Sequence, residues 1–425
     1  MYCGNCFRDN ALVAALRKAG HEVTMVPLYL PLTLDEENQS DNTPIFFNGV
    51  NVYLEQQSSL YRNAPRWVHK MVGSESMLKW AANQVGKTKA SEVGELTISM
   101  LKGEEGHQAR ELDELIDWLK TQAKPDIICL SNSLLLGLAR RLKQEINVPV
   151  VCLLQNEAPY INSMPEELRS KVWRIMCQRA REVDQFIAPS HFYSECMQAN
   201  LKIPQTRIQV IYNGINLDGY ESEPVAPNPP VLGFFSRMCK DKGLDSLIDA
   251  FIKLKANNHI PLLKLKIGGG CGPSDQKFVQ DLKNKLHAKG LSGETEFHPN
   301  LSRFEKQNFL KSLSVLSVPA QFGESFGFYV IEAMAAGVPV VQPRCASFPE
   351  LIEITGGGAV YEHKNPESLA NAVEKMLHNP ANAKQMGLKG REIVRNQFSV
   401  ENMAKEIIAL AERLAPDNTQ NKPRT

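Results

Sequence analysis

The chain has 425 residues, enough for two or three domains at roughly 150 residues each. Apolar residues make up 43% and charged residues 22%, a globular balance that excludes a disordered or fibrous chain. Lysine and arginine total 48 against 47 acidic residues, so the net charge of +1 argues against a dedicated nucleic-acid binder while leaving room for a local phosphate site.

Residues 4–19 read as a loop feeding an amphipathic helix, with Ala11, Leu12, Ala15 and Leu16 on one face and Gly20 as its stop. EVTMVP (22–27) reads as a buried strand. A doubly wound domain ordinarily starts with a strand before its first glycine loop, and here none precedes Gly4. We therefore expect Met1 to be an internal methionine with the natural start upstream; the alternative is a fold that does without the strand. Strand-like runs follow at 46–54, 126–131, 148–154, 184–188 and 207–212. Helical patterns around 107–121, 133–145, 165–182 and 190–200 separate most of them, and such alternation predicts a mainly parallel sheet.

Residues 221–230 (ESEPVAPNPP) carry four prolines and little apolar content, which marks a linker. A second alternating series begins at VLGFFS (231–236). It continues through 262–268, 294–298, 314–319 and 338–342, with helices between. Residues 366–378 and 383–397 read as helices. A last helix over 399–414 precedes a polar tail, 415–425, expected to be disordered. The expected domains are thus 1–220 and 231–398, two doubly wound halves with a hinge and a cleft between them.

No apolar run approaches the ~18 residues of a membrane span, and no signal peptide is visible. The nine cysteines (3, 6, 129, 152, 177, 196, 239, 271 and 345) mostly stand singly in apolar runs, which reads as reduced, buried thiols in a cytoplasmic protein. Cys3 and Cys6 have CxxC spacing. Structural loop thiols are the first reading; a redox pair or half of a metal site are the alternatives, and no second CxxC completes a zinc set.

The stretch 319–343, PAQFGESFGFYVIEAMAAGVPVVQP, carries the most chemistry. A strand ending at Val318 leads into a glycine-containing loop with Glu324. A helix from about Gly327 to Ala336 then carries Glu332. Eight helical residues span ~12 Å, so one carboxylate can meet a sugar and the other a ribose of an extended nucleotide sugar. The backbone N–H groups of Ser325 to Phe328 lie at a helix N-terminus, where a diphosphate is favoured. In VLGFFSRMCKDKGLDSLIDAF (231–251), Arg237 and Lys242 follow a strand and precede a helix; two such cations can hold a diphosphate and stabilise it as it leaves. GGGCG (268–272), with Gly269, is either a tight turn or a phosphate or base contact. Asn213-Gly214 reads as a structural turn.

These segments resemble glycosyltransferase family 4, retaining nucleotide-sugar enzymes with the GT-B fold of two Rossmann-like domains. SRMCKDKGLDSLIDAF is similar to the family's strand–Arg–x4–Lys-Gly–helix signature, and GESFGFYVIEAMAAGVPVV to its E-x7-E signature. APSHFYSECMQANLKIPQTRIQVIYNGINLDGY (188–220) resembles the segment that closes the first half, and ALRKAGHEVTMV the first helix and second strand. The motifs cover most of the chain in the expected order.

The resemblance implies roles. Arg237 and Lys242 would bind the donor diphosphate, Glu324 the donor-sugar hydroxyls and Glu332 the ribose. Ser325, Phe326, Gly327 and Phe328 would approach the sugar and phosphate. His298, Pro299 and Asn300 would sit near the base. Gly4 and Asn5 would face the donor phosphates or the acceptor, and the last helix would cross back onto the first half. Bland alternatives stand beside each: solvated charges for Arg237 and Lys242, an exposed helix position for Glu332, a capping acid for Glu324, a turn histidine for His298.

One departure stands out. Many family members place a His after the strand corresponding to 148–154, where this chain reads Gln155, Asn156, Glu157. Glutamine is no general base. A front-face reaction, in which the leaving phosphate accepts the acceptor's proton, would survive the change. Gln155 or Glu157 would then orient sugar or acceptor. No Asp-x-Asp triplet occurs anywhere, so no metal-bridged diphosphate is expected and no cofactor is required beyond the nucleotide-sugar donor.

Residues 60–80 mix Tyr61, Trp67, Met71 and Trp80 with Arg62, Arg66, Lys70 and Lys79. They read as an ordinary packed helix, with a peripheral contact to an anionic membrane or an acceptor lid as alternatives. The expected activity is transfer of a hexosyl unit to an acceptor hydroxyl with retention. An epimerase or phosphorylase on the same fold, or a non-catalytic nucleotide-sugar binder, are the rivals.

Overall fold

A computed structural model describes residues 4–29, 36–40, 43–65, 90–225 and 227–415. The chain divides into two compact units. The amino unit comprises residues 12–189, 193–211 and 404–425, and the carboxyl unit residues 1–11, 190–192 and 212–403.

The amino unit is built on a parallel sheet of β1 (Ile128–Leu130), β2 (Val150–Leu153), β3 (Gln185–Ala188) and β4 (Ile208–Val210), adjacent in chain order. The register sets Cys129 opposite Val151, Cys152 opposite Phe186 and Ile187 opposite Gln209. Every residue of β2 is buried, because helices cover both faces of a parallel sheet and leave no polar side to alternate with. Val150, Phe186, Leu136, Leu142, Val172, Met176 and Met197 make the core, and each fully buried side chain of this size contributes roughly 1.5–3 kcal/mol.

Ahead of β1 the structure departs from the expected strands. Residues 22–27 are irregular, and Leu28 makes a single parallel bridge to Phe46. The run 46–54 is no strand beyond that bridge; Gly49–Gln57 is a helix. Val50, Val52 and Leu54 alternate with polar or aromatic residues, the period of a strand. Asn48 overrides it, since its side chain accepts from the Val50 amide at 3.0 Å and caps the first turn. The residues that become buried are Asn51, Val52 and Glu55, a helical spacing. Residues 4–18, expected to begin as a loop, are helical from Gly4 onward.

The carboxyl unit carries β5 (Val231–Phe235), β6 (Lys264–Gly269), β7 (Thr295–Pro299), β8 (Val315–Leu316), β9 (Val340–Pro343) and β10 (Gly358–Tyr361). All pairs are parallel, in the order β10-β9-β8-β5-β6-β7. β10 was not anticipated: its one short apolar run, AVY, follows three glycines. The chain winds one way from β5 to β7 and the other way from β8 to β10. The reversal falls between β5 and β8, and a ligand crevice forms at the carboxyl ends of strands at such a point.

The long continuous stretch of the carboxyl unit starts at Tyr212, where the expected first domain runs to 220. Arg391, buried, explains part of this: its Nη2 donates to the carbonyls of Tyr220, Glu221 and Ser222 at 2.8–3.0 Å and holds the start of the proline-rich segment to the Pro380–Gln397 helix. The final helix, Val400–Leu414, is divided at Met403/Ala404 between the units. Residues 66–80 of the aromatic and cationic stretch, Cys3, and the tail from 416 lie outside the described residues. Among the described cysteines none is in a disulfide; against expectation only Cys152 is buried, and Cys129 is exposed. No helix of the described residues is long and apolar enough to cross a membrane.

Candidate functional site

Two loops leave the switch point side by side, residues 236–243 after β5 and 317–327 after β8. Their approach is close enough to require glycine. Gly243 has φ +71°, and a Cβ there would stand 2.0 Å from the Pro319 carbonyl oxygen. The Gln321 amide donates to the Asp241 carbonyl at 2.9 Å and ties the loops together. Gly243 also starts the Leu244–Asn257 helix, so Lys242 is the last residue before it.

Both predicted cations emerge here, each on a carboxylate. Lys242 Nζ donates to Glu324 Oε1, with 27% and 12% of the side chains exposed. Arg237 is bidentate: Nε reaches Asp275 Oδ2 at 3.0 Å and Nη2 reaches Oδ1 at 2.9 Å. Nη2 also lies 3.3 Å from Ser274 Oγ. Asp275 is buried, whereas the Arg237 side chain is 59% exposed. Burial pushes the Asp275 carboxyl up, but the Arg237 hydrogen bonds and charge and the Gly272 amide outweigh it and hold the group below the ordinary range. The guanidinium is thus anchored from beneath and presents its outer face to solvent.

The loop that carries Glu324 is pinned by Ser347, fully buried, whose Oγ lies 2.9 Å from the carbonyls of both Glu324 and Phe326 and shares its one proton between them. Ser325 and Phe326 are buried in this loop. Gly327 has φ +94°, and a Cβ would meet the Phe348 ring at 2.9 Å; it turns the chain into the Phe328–Ala335 helix. The helix N-terminus therefore opens beside Glu324. Around it, Cys345 is pushed up to about 11, first by burial and then by the Glu324 charge. Glu332 is a turn further along, its Oε1 accepting from Lys306 Nζ at 2.7 Å.

A third edge comes from β6 and β7. Gly269 ends β6 at φ +123°, and a Cβ would stand 1.9 Å from the Ser236 carbonyl oxygen. Asn300 joins the adjoining loops: its amide donates to Gly269 O at 2.8 Å, its Oδ1 accepts from the Cys271 amide at 2.9 Å, and its Nδ2 lies 3.2 Å from Cys271 O. Pro299 is the last residue of β7, opposite Gly269. His298 is held by Glu296 Oε2 at 3.0 Å and edge-on against Phe309, with ring centroids 5.5 Å apart. Gly4 belongs to the same unit, and a Cβ on it would stand 3.7 Å from Phe328 Cδ2; Asn5 follows it in the first helical turn.

The structure thus gathers Arg237, Lys242, Glu324, Ser325, Phe326, Gly327, Phe328, Glu332, Gly269, His298, Pro299, Gly4 and Asn5 in the carboxyl unit. Gln155 and Glu157 lie in the amino unit. Glu157 is buried and its carboxylate is filled by uncharged donors: the Ser133 amide at 2.8 Å, the Gln155 amide at 2.9 Å and the Tyr193 hydroxyl at 2.8 Å. Burial, and next the Glu157 charge, keep the Tyr193 phenol protonated far above the ordinary range. Gln155 Nε2 donates to Ser131 O at 3.2 Å.

Sequence reading missed Asp275, Ser347 and Lys306. Asp275 stands four residues past Cys271 in the glycine run, and Lys306 follows a capping box, Ser302 with Glu305, that announces its helix. Ser347 has no local signal.

Two family models match: "Glycosyltransferase Family 4" over residues 92–218 and "Glycosyl transferases group 1" over residues 220–393. An uncharacterized glycosyltransferase of Methanocaldococcus jannaschii is 27% identical over 237 residues, 53% of this chain and 58% of that one. A GDP-mannose-dependent alpha-(1-6)-phosphatidylinositol monomannoside mannosyltransferase of Mycobacterium tuberculosis is 24% identical, over 48% of this chain and 55% of its own length. The matches thus span little more than half the length of these relatives. Among solved structures, HepE of Anabaena in complex with UDP superposes with a TM-score of 0.63 at 20% identity, over 73% of this chain and 84% of that one. Sucrose-phosphate synthase of Thermosynechococcus elongatus gives 0.61 at 21%, over 72% and 79%.

Proposed function

The chain belongs to glycosyltransferase family 4 and has the GT-B fold, and from that premise we propose that it moves a hexosyl unit from a nucleoside-diphosphate sugar to an acceptor hydroxyl with retention of configuration. The observation that carries the reading is the pairing of two cations with two carboxylates at the switch point of the carboxyl unit. A diphosphate is the ligand that two such cations, beside a helix N-terminus, bind best.

In this reading the donor's phosphates engage the open face of Arg237 and draw Lys242 off Glu324. Glu324 is then released to accept from two sugar hydroxyls. Glu332, exchanging part of its bond to Lys306, accepts from the ribose. Gly269, Pro299 and the Asn300 bridge shape the base end, with His298 held beside it. As the glycosidic bond breaks, negative charge grows on the leaving phosphate, and Arg237 and Lys242 stabilise it more than the ground state. That phosphate takes the acceptor's proton, so no side chain in the position of Gln155 needs to act as a base. Glu157 fixes the Gln155 backbone, which orients the acceptor side.

The M. tuberculosis relative is named for GDP-mannose and the Anabaena structure contains UDP, so both nucleotides belong in the test. Purified protein is incubated with GDP- and UDP-hexoses and a panel of hydroxyl acceptors, and the product's anomeric configuration is read by proton NMR. One donor giving an α-linked product from an α-linked donor supports the proposal. Free sugar isomers without acceptor, or dependence on inorganic phosphate, favours an epimerase or phosphorylase instead.

A further inference from the structure

A second cluster lies at the other end of the carboxyl unit's sheet. The Leu244–Asn257 helix stops at Asn258, which takes φ +55° and turns His259 off the helix end. His259 starts the connection to β6 at Lys264, whereas the candidate functional site uses the Gly269 end of that strand. Lys255 Nζ donates to the Pro261 carbonyl and holds the connection in place. Across from it, the Pro366–His378 helix presents Glu374 and His378, spaced i and i+4 and so on one face.

The three side chains converge. His259 Nδ1 meets Glu374 Oε1, and His378 Nε2 lies 3.5 Å from the same oxygen. The two imidazole centroids are 6.3 Å apart. One ligand atom from each residue lies within 4.8 Å of the other two. The Glu374 side chain is only 17% exposed, whereas the imidazoles are 60% and 52% exposed and can swing.

We infer that His259, Glu374 and His378 form a binding site for one zinc-class divalent metal ion. A tetrahedral ion with bonds of ~2.0–2.1 Å sets its ligands about 3.3 Å apart. Small rotations of the two exposed rings bring the donors to that separation. Two imidazoles and one carboxylate suit zinc, nickel or copper over magnesium or calcium, which take oxygen sets. The fourth position faces solvent and takes water. The ion would clip the β6 connection to a helix 115 residues later in the chain. It lies apart from the nucleotide loops, so its role is to fasten this edge of the unit. The sequence reading found no such set because its first member stands far from the other two.

The test uses the full chain, stripped with a chelator and titrated with zinc chloride by calorimetry, with cobalt(II) as a spectroscopic probe. The expected result is saturable binding of one zinc per chain and a cobalt spectrum without a sulfur-to-metal charge-transfer band. His259→Ala and His378→Ala should each weaken binding by about tenfold or more, since even outer-shell changes cost that much; Glu374→Gln should weaken it as well. Melting curves without metal check that each variant folds, and retained stabilisation by the nucleotide separates this site from the donor site. Zinc uptake equal in wild type and the double His variant, no uptake by either, or a thiolate signature in the cobalt spectrum overturns the inference.

Discussion

Two sites, one in each unit, hold their carboxylates in different ways. In the carboxyl unit Glu324 and Asp275 sit against cations, and those cations are partly open to solvent. In the amino unit Glu157 is buried and accepts from two amides and a phenol. A cation that keeps a face open to solvent can take an incoming anion as a further charge-assisted partner. A buried carboxylate filled by neutral donors has no such freedom, because every donor it leaves behind is stranded. The first arrangement suits a site that must open for a ligand, the second a site that must keep its shape.

This contrast can be broken at several points. Arg237→Ala should cut kcat by about 10²–10³ with the fold intact, the size expected when one charge-stabilising donor is lost from a transition state; steady-state kinetics with the preferred donor reads it, and an unchanged kcat removes Arg237 from the mechanism. Glu157→Ala should do the reverse, lowering unfolding stability in urea by about 2–3 kcal/mol through its stranded donors while leaving nucleoside-diphosphate affinity unchanged. Glu332→Gln should weaken donor binding about tenfold, and less for a donor analogue lacking the ribose hydroxyls; equal losses for both place Glu332 outside the ribose contact.

The smallest effect concerns Asp275. Its folded pKa lies below the ordinary 3.8, so the stability it lends is present above that value and fades as pH falls through it toward the folded pKa. Because Arg237 is largely exposed, Asp275→Asn should cost less than about 1 kcal/mol at neutral pH and flatten the acid limb of the stability curve. Urea unfolding from pH 3 to 6, a range bracketing roughly the ordinary carboxylate pKa, checks both; an unaltered limb means that the pair does not titrate with folding.

How much of this was readable from residues alone varies along the chain for physical reasons. At the switch point close backbone approach explains the glycines: Gly243, Gly269 and Gly327 stand where a Cβ would collide, and they bracket Arg237, Lys242 and Glu324, which the sequence marks by their places between strand and helix. The counter-charges were not legible. Asp275, Lys306 and Ser347 act across gaps of 38, 26 and 21 to 23 residues, and nothing beside them in the chain marks that partnership. The run 46–54 misled because its alternating apolar residues mimic a strand while one capping asparagine decides for a helix. In the amino unit the expectation is that Gln155 or Glu157 orients sugar or acceptor; the donors that hold Glu157, among them Ser133 and Tyr193, lie 24 and 36 residues away and have no local mark.

The most direct measurement is calorimetric titration of GDP and UDP into wild type, Arg237→Ala and Glu157→Gln. The account predicts saturable binding of one of the two nucleotides to wild type, loss of that binding in Arg237→Ala, and its retention in folded Glu157→Gln. Binding of equal strength to Arg237→Ala, or no binding of either nucleotide to the folded wild-type chain, would contradict the assignment of the paired cations as a diphosphate site.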